Sequence, residues 1–302
     1  MPEVSVLLCT RNRGDRIINA VDSILENSFE NFELIVVDQS SDDKTKTVLE
    51  KYSDPRIRYI RSHTVGLSRS RNIAISESLS EIVAFTDDDC IVDREWLASI
   101  MKEYESDSSI MGVYGRVLPY GKGEPWMVCH CIIDSMERRT VDSPIIPYTV
   151  LGHGNNMSFK KDVFRKVGLY IESLGAGTWM RGGEDTDLIY RALKKRMRFV
   201  YSPEPLVYHD NWMSKEKAAE LELGYILSAA AVFNKFVLRM DQTALLHLLE
   251  RSKDIFQRIC SNLRRLNKDR GLIPAMKRLY WFVIGLIMGI KYVFVIPAKL
   301  KG

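Results

Sequence analysis

The sequence predicts an α/β fold, a doubly wound and mostly parallel sheet flanked by helices, followed by a C-terminal helical extension. Over the first hundred residues, short continuous apolar runs alternate with segments of helical periodicity. This order is typical of parallel strands that are buried on both faces and joined by helical crossovers. The chain has 302 residues, of which 46% are hydrophobic, which is enough for a large core.

The predicted elements follow one another regularly. The helix after the first strand carries its apolar residues at helical spacing, and the polar turn SSDDKT after the second strand can cap a further helix. A loop-rich insertion is expected over 119–147. A helix with acidic residues in its first turn is expected over 184–196. The strands are predicted at 4–10, 32–38, 56–60 and 81–86, with helices at 17–25 and 66–79 and further helical structure over 214–249.

Charge and cysteine content restrict the class of protein. A formal net charge of +4 is only mildly basic and does not predict a nucleic-acid partner. Five cysteines without CxxC spacing indicate reduced thiols and a cytoplasmic location. The segment Cys129-His130-Cys131 has no second pair at zinc-ligand spacing, so a zinc site is disfavoured. The first apolar run, Val4 to Cys9, is short and lacks a preceding basic region, so no secretory leader is expected.

Polar residues follow three of the predicted strands. In open α/β sheets, ligands bind outside the carboxyl ends of the strands, so Thr10 to Arg13, Asp38 to Ser41 and Asp87 to Asp89 should line one crevice. On an extended strand, Asp87 and Asp89 would face one way and Asp88 the other. Two carboxylates on one face suit Mg²⁺ or Mn²⁺ carrying a diphosphate, so we expect one of these ions as cofactor.

Seven segments in order carry a resemblance to a known family. VSVLLCTRNR, FELIVVDQSSDD, GLSRSRNIAI, FTDDD, GNNMSF, GGEDTDL and VYHD resemble the successive motifs of glycosyltransferase family 2. The resemblance covers roughly 4–212 and implies an inverting nucleotide-sugar transferase with the Rossmann-like GT-A fold. We therefore expect a transferase domain over 1–212 and a helical, basic and hydrophobic membrane-associating region over 213–302.

The resemblance also implies site residues. Asp87 and Asp89 would be the two acids of the DxD motif and would hold the metal together with His209, while Asp87 or Asp88 would lie near the ribose. Gln39 stands where the family often has a second acid, so uracil, thymine and guanine all remain open as the base. The expected nucleotide-sugar contacts are Thr10, Arg11, Asn12, Asp38, Gln39, Arg71, Asp87 and Asp88.

Inverting transfer needs a base, because the acceptor hydroxyl must lose its proton as it attacks the anomeric carbon. The family's base lies in an ED pair, which implies Asp185 as base and Glu184 as a residue that either binds the acceptor or supports Asp185. Acids at a helix start are also stabilised by the helix dipole, so both roles can coexist. Carbohydrates favour amides and aromatic platforms. The candidate acceptor or sugar contacts are Asn155, Asn156, Trp179 and Arg181, with Trp126 and Trp212 as candidates for either the site or the core.

The C-terminal segment 279–296 is apolar except for Lys291. The preceding segment 251–278 is basic, with nine lysines and arginines and only two aspartates. Three interpretations compete: a helix lying in the membrane interface, a membrane span, and a helix packed on the soluble domain or on a second copy in a homodimer. Gly285 and Gly289 form a GxxxG pattern that indicates a close helix contact. We expect peripheral association with the inner face of the cell membrane and a sugar or lipid-linked sugar as acceptor.

The expected activity is transfer of a hexose from a nucleotide-diphosphate sugar to an acceptor hydroxyl, in cell-surface polysaccharide or glycolipid synthesis. Two alternatives stay open. The same acids could serve a metal-dependent nucleotide-sugar hydrolase or nucleotidyltransferase. The chain could also be a non-catalytic, membrane-associated nucleotide-binding protein.

Overall fold

The computed structural model describes residues 1–145, 150–264 and 272–300. The strands are β1 Val4–Thr10, β2 Phe32–Asp38, β3 Ile57–Arg61, β4 Ile82–Asp87, β5 Cys90–Val92, β6 Ile110–Pro119, β7 Met127–Cys129, β8 Arg139–Val141, β9 Asn156–Lys160, β10 Arg198–His209 and β11 Trp212–Ser214. The helices are α1 Ile17–Leu25, α2 Lys44–Leu49, α3 Leu67–Glu77, α4 Trp96–Ser106, α5 Asp162–Val167, α6 Glu184–Lys194, α7 Lys215–Val237, α8 Gln242–Arg264 and α9 Leu272–Tyr292.

Nine strands form one mixed sheet in the order β3-β2-β1-β4-β9-β6-β10-β5, with β8 paired to β10. The four strands β3, β2, β1 and β4 are parallel neighbours. Strand β9 runs antiparallel to both β4 and β6, and β10 runs parallel to β6. Most strands therefore point in one direction, which confirms the predicted mixed, mostly parallel sheet. A separate two-stranded ribbon pairs β7 with β11.

Helices cover both faces of the sheet. Alternate residues of the central strands belong to different core clusters: Val6 and Leu8 pack with α1 and α4, whereas Leu7 packs with α3, α5 and α6. Because both faces are buried, most residues on each face are apolar, and the strands appear in the sequence as nearly continuous apolar runs. The polar residues that follow these strands consequently lie at the edge of the sheet.

A third core cluster joins α7, α8 and α9 to the rest of the molecule through residues of α6 and the loop before it, including Tyr190 and Met180. Helix α9 lies closely against α7, because a Cβ added at Gly285 would overlap the Leu227 carbonyl and one at Gly289 would lie 2.7 Å from the Ala231 oxygen. The close contact indicated by the GxxxG pattern is therefore made within this chain, by α7.

Several boundaries differ from the sequence-based prediction. Strand β4 ends at Asp87, and Asp88 and Asp89 form a turn before β5. The helical stretch predicted over 214–249 is interrupted at 238–241, and α9 begins before residue 279. Within the described part of the chain, the insertion at 119–147 contains the short strands β7 and β8 and is otherwise loop. Parts of the insertion and of the basic stretch 251–278, namely 146–147 and 265–271, lie outside the described residues.

Candidate active site

An open cavity of about 670 Å³ lies at the carboxyl ends of β1 and β4. The loop before β9, the start of α6, and helices α7 and α8 form its other walls. The structure thus brings most of the sequence-predicted site residues together. Those that line the cavity are Thr10, Arg11, Gln39, Arg71, Asp87, Asp88, Asp89, Asn155, Arg181, Glu184, Asp185 and His209.

The acidic turn Asp88-Asp89 is neutralised mainly by Arg13. One guanidinium nitrogen of Arg13 donates to Asp88 at 2.7 Å and to Asp89 at 2.9 Å, and the Thr10 hydroxyl donates to Asp88 at 2.6 Å. The expectation that Asp88 would point away from Asp89 is therefore wrong. The side chains do not alternate between two faces here because the chain has already left the strand after Asp87.

His209 at the end of β10 lies beside the same turn. Its Nε2 is 3.3 Å from an oxygen of Asp89, and its Nδ1 is 2.8 Å from the carbonyl oxygen of His130. Burial lowers the pKa of His209, but the negative charge of Asp89 and Asp87 outweighs burial and raises it. Although burial opposes it, the contacts with His209 and Arg13 hold the pKa of Asp89 below its usual value.

This group fits a divalent metal. Ligand atoms of Asp89, Cys90 and His209 all lie within 4.8 Å of one another, and Asp87 opens into the same cavity. Carboxylate oxygens and an imidazole nitrogen are donors that Mn²⁺ accepts, and carboxylates alone suit Mg²⁺. Burial raises the pKa of Asp87 to about 6 although Arg71 opposes this, so a nearby cation would stabilise its charged form.

A buried arginine holds the acid pair at the start of α6. Arg71 in α3 lies 2.9 Å from a carboxylate oxygen of Asp185 and 3.4 Å from one of Glu184. The side chain of Asp185 is 28% exposed, against 10% for Glu184, so Asp185 is the more accessible of the two from the cavity. Burial and the neighbouring Asp185 raise the pKa of Glu184 to about 7.

The position of α6 depends on a buried ion cluster. Asp187, with no exposed side-chain surface, accepts from Arg191 at 2.8 Å and from Lys235 of α7. Arg191 also donates to the Leu169 carbonyl at 2.9 Å. Gly183 precedes the helix with φ of +88°, a left-handed conformation that favours glycine. The C-terminal region thus anchors the helix that begins with Glu184 and Asp185.

The two predicted asparagines differ in their surroundings. Asn155 lines the cavity, is 1% exposed, and has neither amide atom hydrogen-bonded among the described residues. Asn156 does not line it: its Oδ1 accepts from Trp96 at 2.8 Å, and its Nδ2 donates to the carbonyls of Arg116 and Pro205. The expectation that Asn156 contacts sugar is corrected accordingly, because the hydrogen bonds of its amide are directed into the protein.

Three further candidates also lie outside the cavity lining. Asp38 is fully buried and accepts from Tyr59 at 2.9 Å and from Arg61 at 3.2 Å. Asn12, at φ of +56°, accepts from the backbone of Ser41 at 2.8 Å. Trp179 is 58% exposed. Asp38 and Asn12 hold neighbouring segments around the site, whereas Gln39 reaches the cavity.

Gln39 is held in place by two contacts with the protein. Its Nε2 donates to Thr64 at 3.1 Å, and its Oε1 accepts from the Gly66 backbone at 3.1 Å. One N–H and one lone pair of the amide remain to bind a nucleotide base. These two groups are compatible with uracil, thymine or guanine.

Sequence reasoning missed several residues that line the cavity. Arg13 belongs to the predicted segment Thr10 to Arg13 and lines the cavity as expected, but its ion pairs with Asp88 and Asp89 have no signal in the sequence. The missed residues come from the insertion, the loop before β9 and the C-terminal helices, and no local pattern placed them beside the strand ends. They are His130, His153, Lys217, Tyr225 and Arg251.

Comparisons with known proteins identify the family. The family model described as "Glycosyl transferase family 2" matches residues 5–168. The chain is 25% identical over 193 residues to a glucosyl-dolichyl phosphate glucuronosyltransferase of Haloferax volcanii, covering 57% of this chain and 57% of the relative. It is 30% identical over 130 residues to the poly(ribitol-phosphate) beta-N-acetylglucosaminyltransferase TarS of Staphylococcus aureus, covering 39% of this chain and 23% of the relative. The chain thus spans a little over half, or less, of these relatives' lengths.

Solved structures share the fold. A mannosyltransferase from Pyrobaculum calidifontis, in complex with GDP-Man and Mn²⁺, superposes with a TM-score of 0.59 at 17% identity, over 97% of this chain and 87% of the other. A fragment of TarS from S. aureus with UDP-GlcNAc superposes with a TM-score of 0.57 at 18% identity, over 76% of this chain and 66% of the other. These superpositions show that the fold is GT-A. The family model matches more than half of the chain, so this chain belongs to glycosyl transferase family 2.

Proposed function

We propose that the protein is an inverting, metal-dependent hexosyltransferase that moves a sugar from a nucleotide-diphosphate sugar to an acceptor hydroxyl. The observation that carries this proposal is the position of Asp185, which is accessible from the same cavity as the acidic turn and His209 and is held by Arg71 at 2.9 Å. A base and a diphosphate site that share one cavity are what a single displacement requires.

The strand ends would bind the donor. Asp87, Asp89 and His209 would hold Mn²⁺ or Mg²⁺, which when bound offsets negative charge on the leaving diphosphate. Thr10, Arg11 and Gln39 would contact the nucleotide, and Arg13 keeps the acidic turn compact through its two ion pairs. Asn155 would bind sugar, since its buried amide has no hydrogen-bond partner among the described residues.

Asp185 would act on the acceptor. Its carboxylate takes the proton of the attacking hydroxyl as the new bond to the anomeric carbon forms, and the bond to the diphosphate breaks on the opposite face. Arg71 orients the Asp185 carboxylate through their contact at 2.9 Å. Glu184 lies deeper and supports the pair through Arg71.

Relatives narrow the range of substrates to be tested. The solved structures are complexes with UDP-GlcNAc and GDP-Man, and the curated relatives are named as a glucuronosyltransferase of glucosyl-dolichyl phosphate and an N-acetylglucosaminyltransferase of poly(ribitol-phosphate). For this chain we propose a UDP- or GDP-hexose as donor and an acceptor used in polysaccharide or glycolipid synthesis.

A thermal-shift screen tests the donor site. UDP, GDP and their hexose conjugates are added to the full chain with and without Mn²⁺. A nucleotide present at 100 times its dissociation constant should stabilise the protein by about 2.7 kcal/mol, and the shift should require the metal. The metal site is wrong if Asp89→Asn binds nucleotide with the same dependence on Mn²⁺.

Product analysis separates transfer from hydrolysis and from non-catalytic binding. Sugar release from the donor that binds is measured with and without membrane extract as a source of acceptors. Transfer predicts that donor turnover rises with acceptor and that the sugar appears in a new product. Release of free sugar at an equal rate in both cases would favour the hydrolase, and binding without turnover the non-catalytic alternative.

We also propose that region 213–302 holds the protein on the cytoplasmic face of a membrane. One helix in the described part of the chain, Ile273–Tyr292, is long and apolar enough to span a bilayer. Gly285 and Gly289 turn one side of it toward α7, and the other side carries an exposed stripe with spacings of three and four residues. This stripe consists of Ile273, Met276, Tyr280, Val283, Ile287 and Ile290.

The sign of the neighbouring charge selects a lipid surface as the occupant. Region 251–278 is strongly basic, and Lys291 lies near the end of α9, so anionic lipid headgroups would add attraction. Vesicles of phosphatidylglycerol and phosphatidylcholine should sediment the full chain, and Ile287→Asp should reduce that binding. Leu79→Asp, on an exposed site far along the sequence, is the control. A dimer in solution that is lost in Ile287→Asp would instead assign the stripe to a second copy.

A further inference from the structure

The walls of the cavity carry opposite charges. The strand-end side has Asp87, Asp88 and Asp89, whereas the side formed by the C-terminal helices and the loop before α6 has Arg181, Lys217 and Arg251. Arg181, Lys217 and Arg251, called here the basic wall, make no ion pair with any residue that the structure describes. By contrast, Arg13 and Arg71 on the other sides are both paired with carboxylates.

Helix α7 provides the frame of the basic wall. Its residues Lys217, Leu221, Tyr225 and Ser228 recur at spacings of three and four, so they share one helix face, and all four line the cavity. Lys217 therefore projects from the cavity side of α7 near its first turn, and Arg251 reaches the same cavity from α8.

Arg181 lies against the same helix. A Cβ added at Gly224 of α7 would be 3.4 Å from the Cβ of Arg181, so the glycine leaves space for this side chain. Arg181 has φ of +58°, an unusual backbone conformation for a residue other than glycine. Such residues cluster at binding and active sites. Since Arg181 precedes Asp185 by only four residues, a group bound by it lies on the approach to that acid pair.

Unpaired cations on the wall of a cavity concentrate anions, and arginine and lysine bind phosphate through charge-assisted hydrogen bonds. In the proposed function, the donor diphosphate would already have a partner on the opposite side in the metal held by Asp87, Asp89 and His209. We propose that the basic wall binds a phosphate group carried by the acceptor, so that the acceptor is a phosphorylated molecule rather than a neutral sugar. This proposal rests on the proposed function, because it assigns the acceptor side of the same cavity.

The binding of small probes tests the proposal. Isothermal titration of the full chain, saturated with Mn²⁺ and UDP or GDP, compares geranyl phosphate with geraniol, which lacks the phosphate. Geranyl phosphate should bind more tightly than geraniol. Lys217→Met and Arg251→Met should each weaken geranyl phosphate about ten-fold, as expected for the loss of one charge-assisted hydrogen bond. Lys215→Met, on the same turn of α7 but outside the cavity lining, is the matched control and should bind like the unchanged chain.

Glycerol 3-phosphate distinguishes two sources of the same chemistry. If it binds as tightly as geranyl phosphate, the phosphate alone is recognised and a phosphorylated polyol is the acceptor class. If glycerol 3-phosphate binds much more weakly than geranyl phosphate, the acceptor class is a lipid phosphate. Equal binding of geraniol and geranyl phosphate would overturn the proposal. It would also be overturned if Lys217→Met and Arg251→Met weakened UDP or GDP as much as geranyl phosphate, because the wall would then serve the donor.

The two proposals can fail separately. If the protein binds nucleotide and transfers sugar, but the two substitutions do not change the affinity for geranyl phosphate, only the proposal on the basic wall is rejected. If the protein shows no Mn²⁺-dependent nucleotide binding, but the basic wall still binds geranyl phosphate in nucleotide-free protein, the proposed transferase function is rejected and the phosphate site is retained.

Discussion

The strand-end side and the helix side of the cavity differ in how completely their polar groups are satisfied. On the strand-end side, Arg13 pairs with Asp88 and Asp89, and Asp38 is fully hydrogen-bonded behind the wall. On the other sides of the cavity, Asn155 in the loop before β9 has no hydrogen-bond partner, and the basic wall has no ion pair, among the described residues. Groups that position a site are bonded within the protein, whereas groups left open are available to a ligand.

The largest effect should come from the acid that opens into the cavity. Asp185→Asn removes the proton acceptor but keeps the shape of the side chain, so the rate of transfer should fall by about 10² to 10⁴-fold. Nucleotide binding in the presence of Mn²⁺, measured by titration, should be unchanged. Asp162→Asn, at the partly exposed start of helix α5, should retain full transfer. An equal loss of nucleotide affinity in Asp185→Asn would place Asp185 on the donor side instead.

The ion cluster that anchors α6 is the best-satisfied part of the helix side. Asp187→Asn leaves the buried cations Lys235 and Arg191 without their carboxylate, so unfolding by urea should show a loss of about 3–5 kcal/mol. Asp162→Asn breaks an exposed pair with Arg165 and should cost less than about 1 kcal/mol. Equal losses in the two variants would contradict the anchoring role.

Two neighbouring asparagines allow a hydrogen-bonded and an unpaired polar group to be compared directly. Asn156→Ala removes three hydrogen bonds in the core and should lower the free energy of unfolding by roughly 2–4 kcal/mol. Asn155→Ala removes an unpaired buried amide, so stability should stay the same or rise while transfer falls about ten-fold. If Asn155→Ala destabilises the protein as much as Asn156→Ala, Asn155 is structural.

A smaller effect should follow from the raised pKa of Glu184. Its pKa rises from 4.5 to about 7, so the folded protein retains a proton that the unfolded chain releases in that range. The stabilisation is complete below the unfolded pKa of 4.5 and is lost as pH rises through about 7. Between about pH 5 and pH 8, the free energy of unfolding should fall less in Glu184→Gln, by roughly 1–3 kcal/mol. Parallel pH profiles for the two proteins would exclude this titration.

Local patterns predicted the strands and most of the residues on the strand-end side. The apolar runs of β1 and β2 matched the strands because burial on both faces requires nearly every residue to be apolar. The polar segments after them meet at one edge because parallel strands end on the same side of the sheet. The order of the motifs, from VSVLLCTRNR to VYHD, determined the family from the sequence by itself.

Only the tertiary structure decided the helix side. The sequence could not distinguish Asn155 from Asn156, because whether an amide is satisfied depends on Trp96, Arg116 and Pro205, which are distant along the chain. Strand alternation also failed at Asp88, where the turn after β4 directs two acids to one arginine. Lys217 and Arg251 joined the site because α7 is bound to α6 by a buried ion pair and the α7–α9 core, and such long-range packing leaves no local period in the sequence.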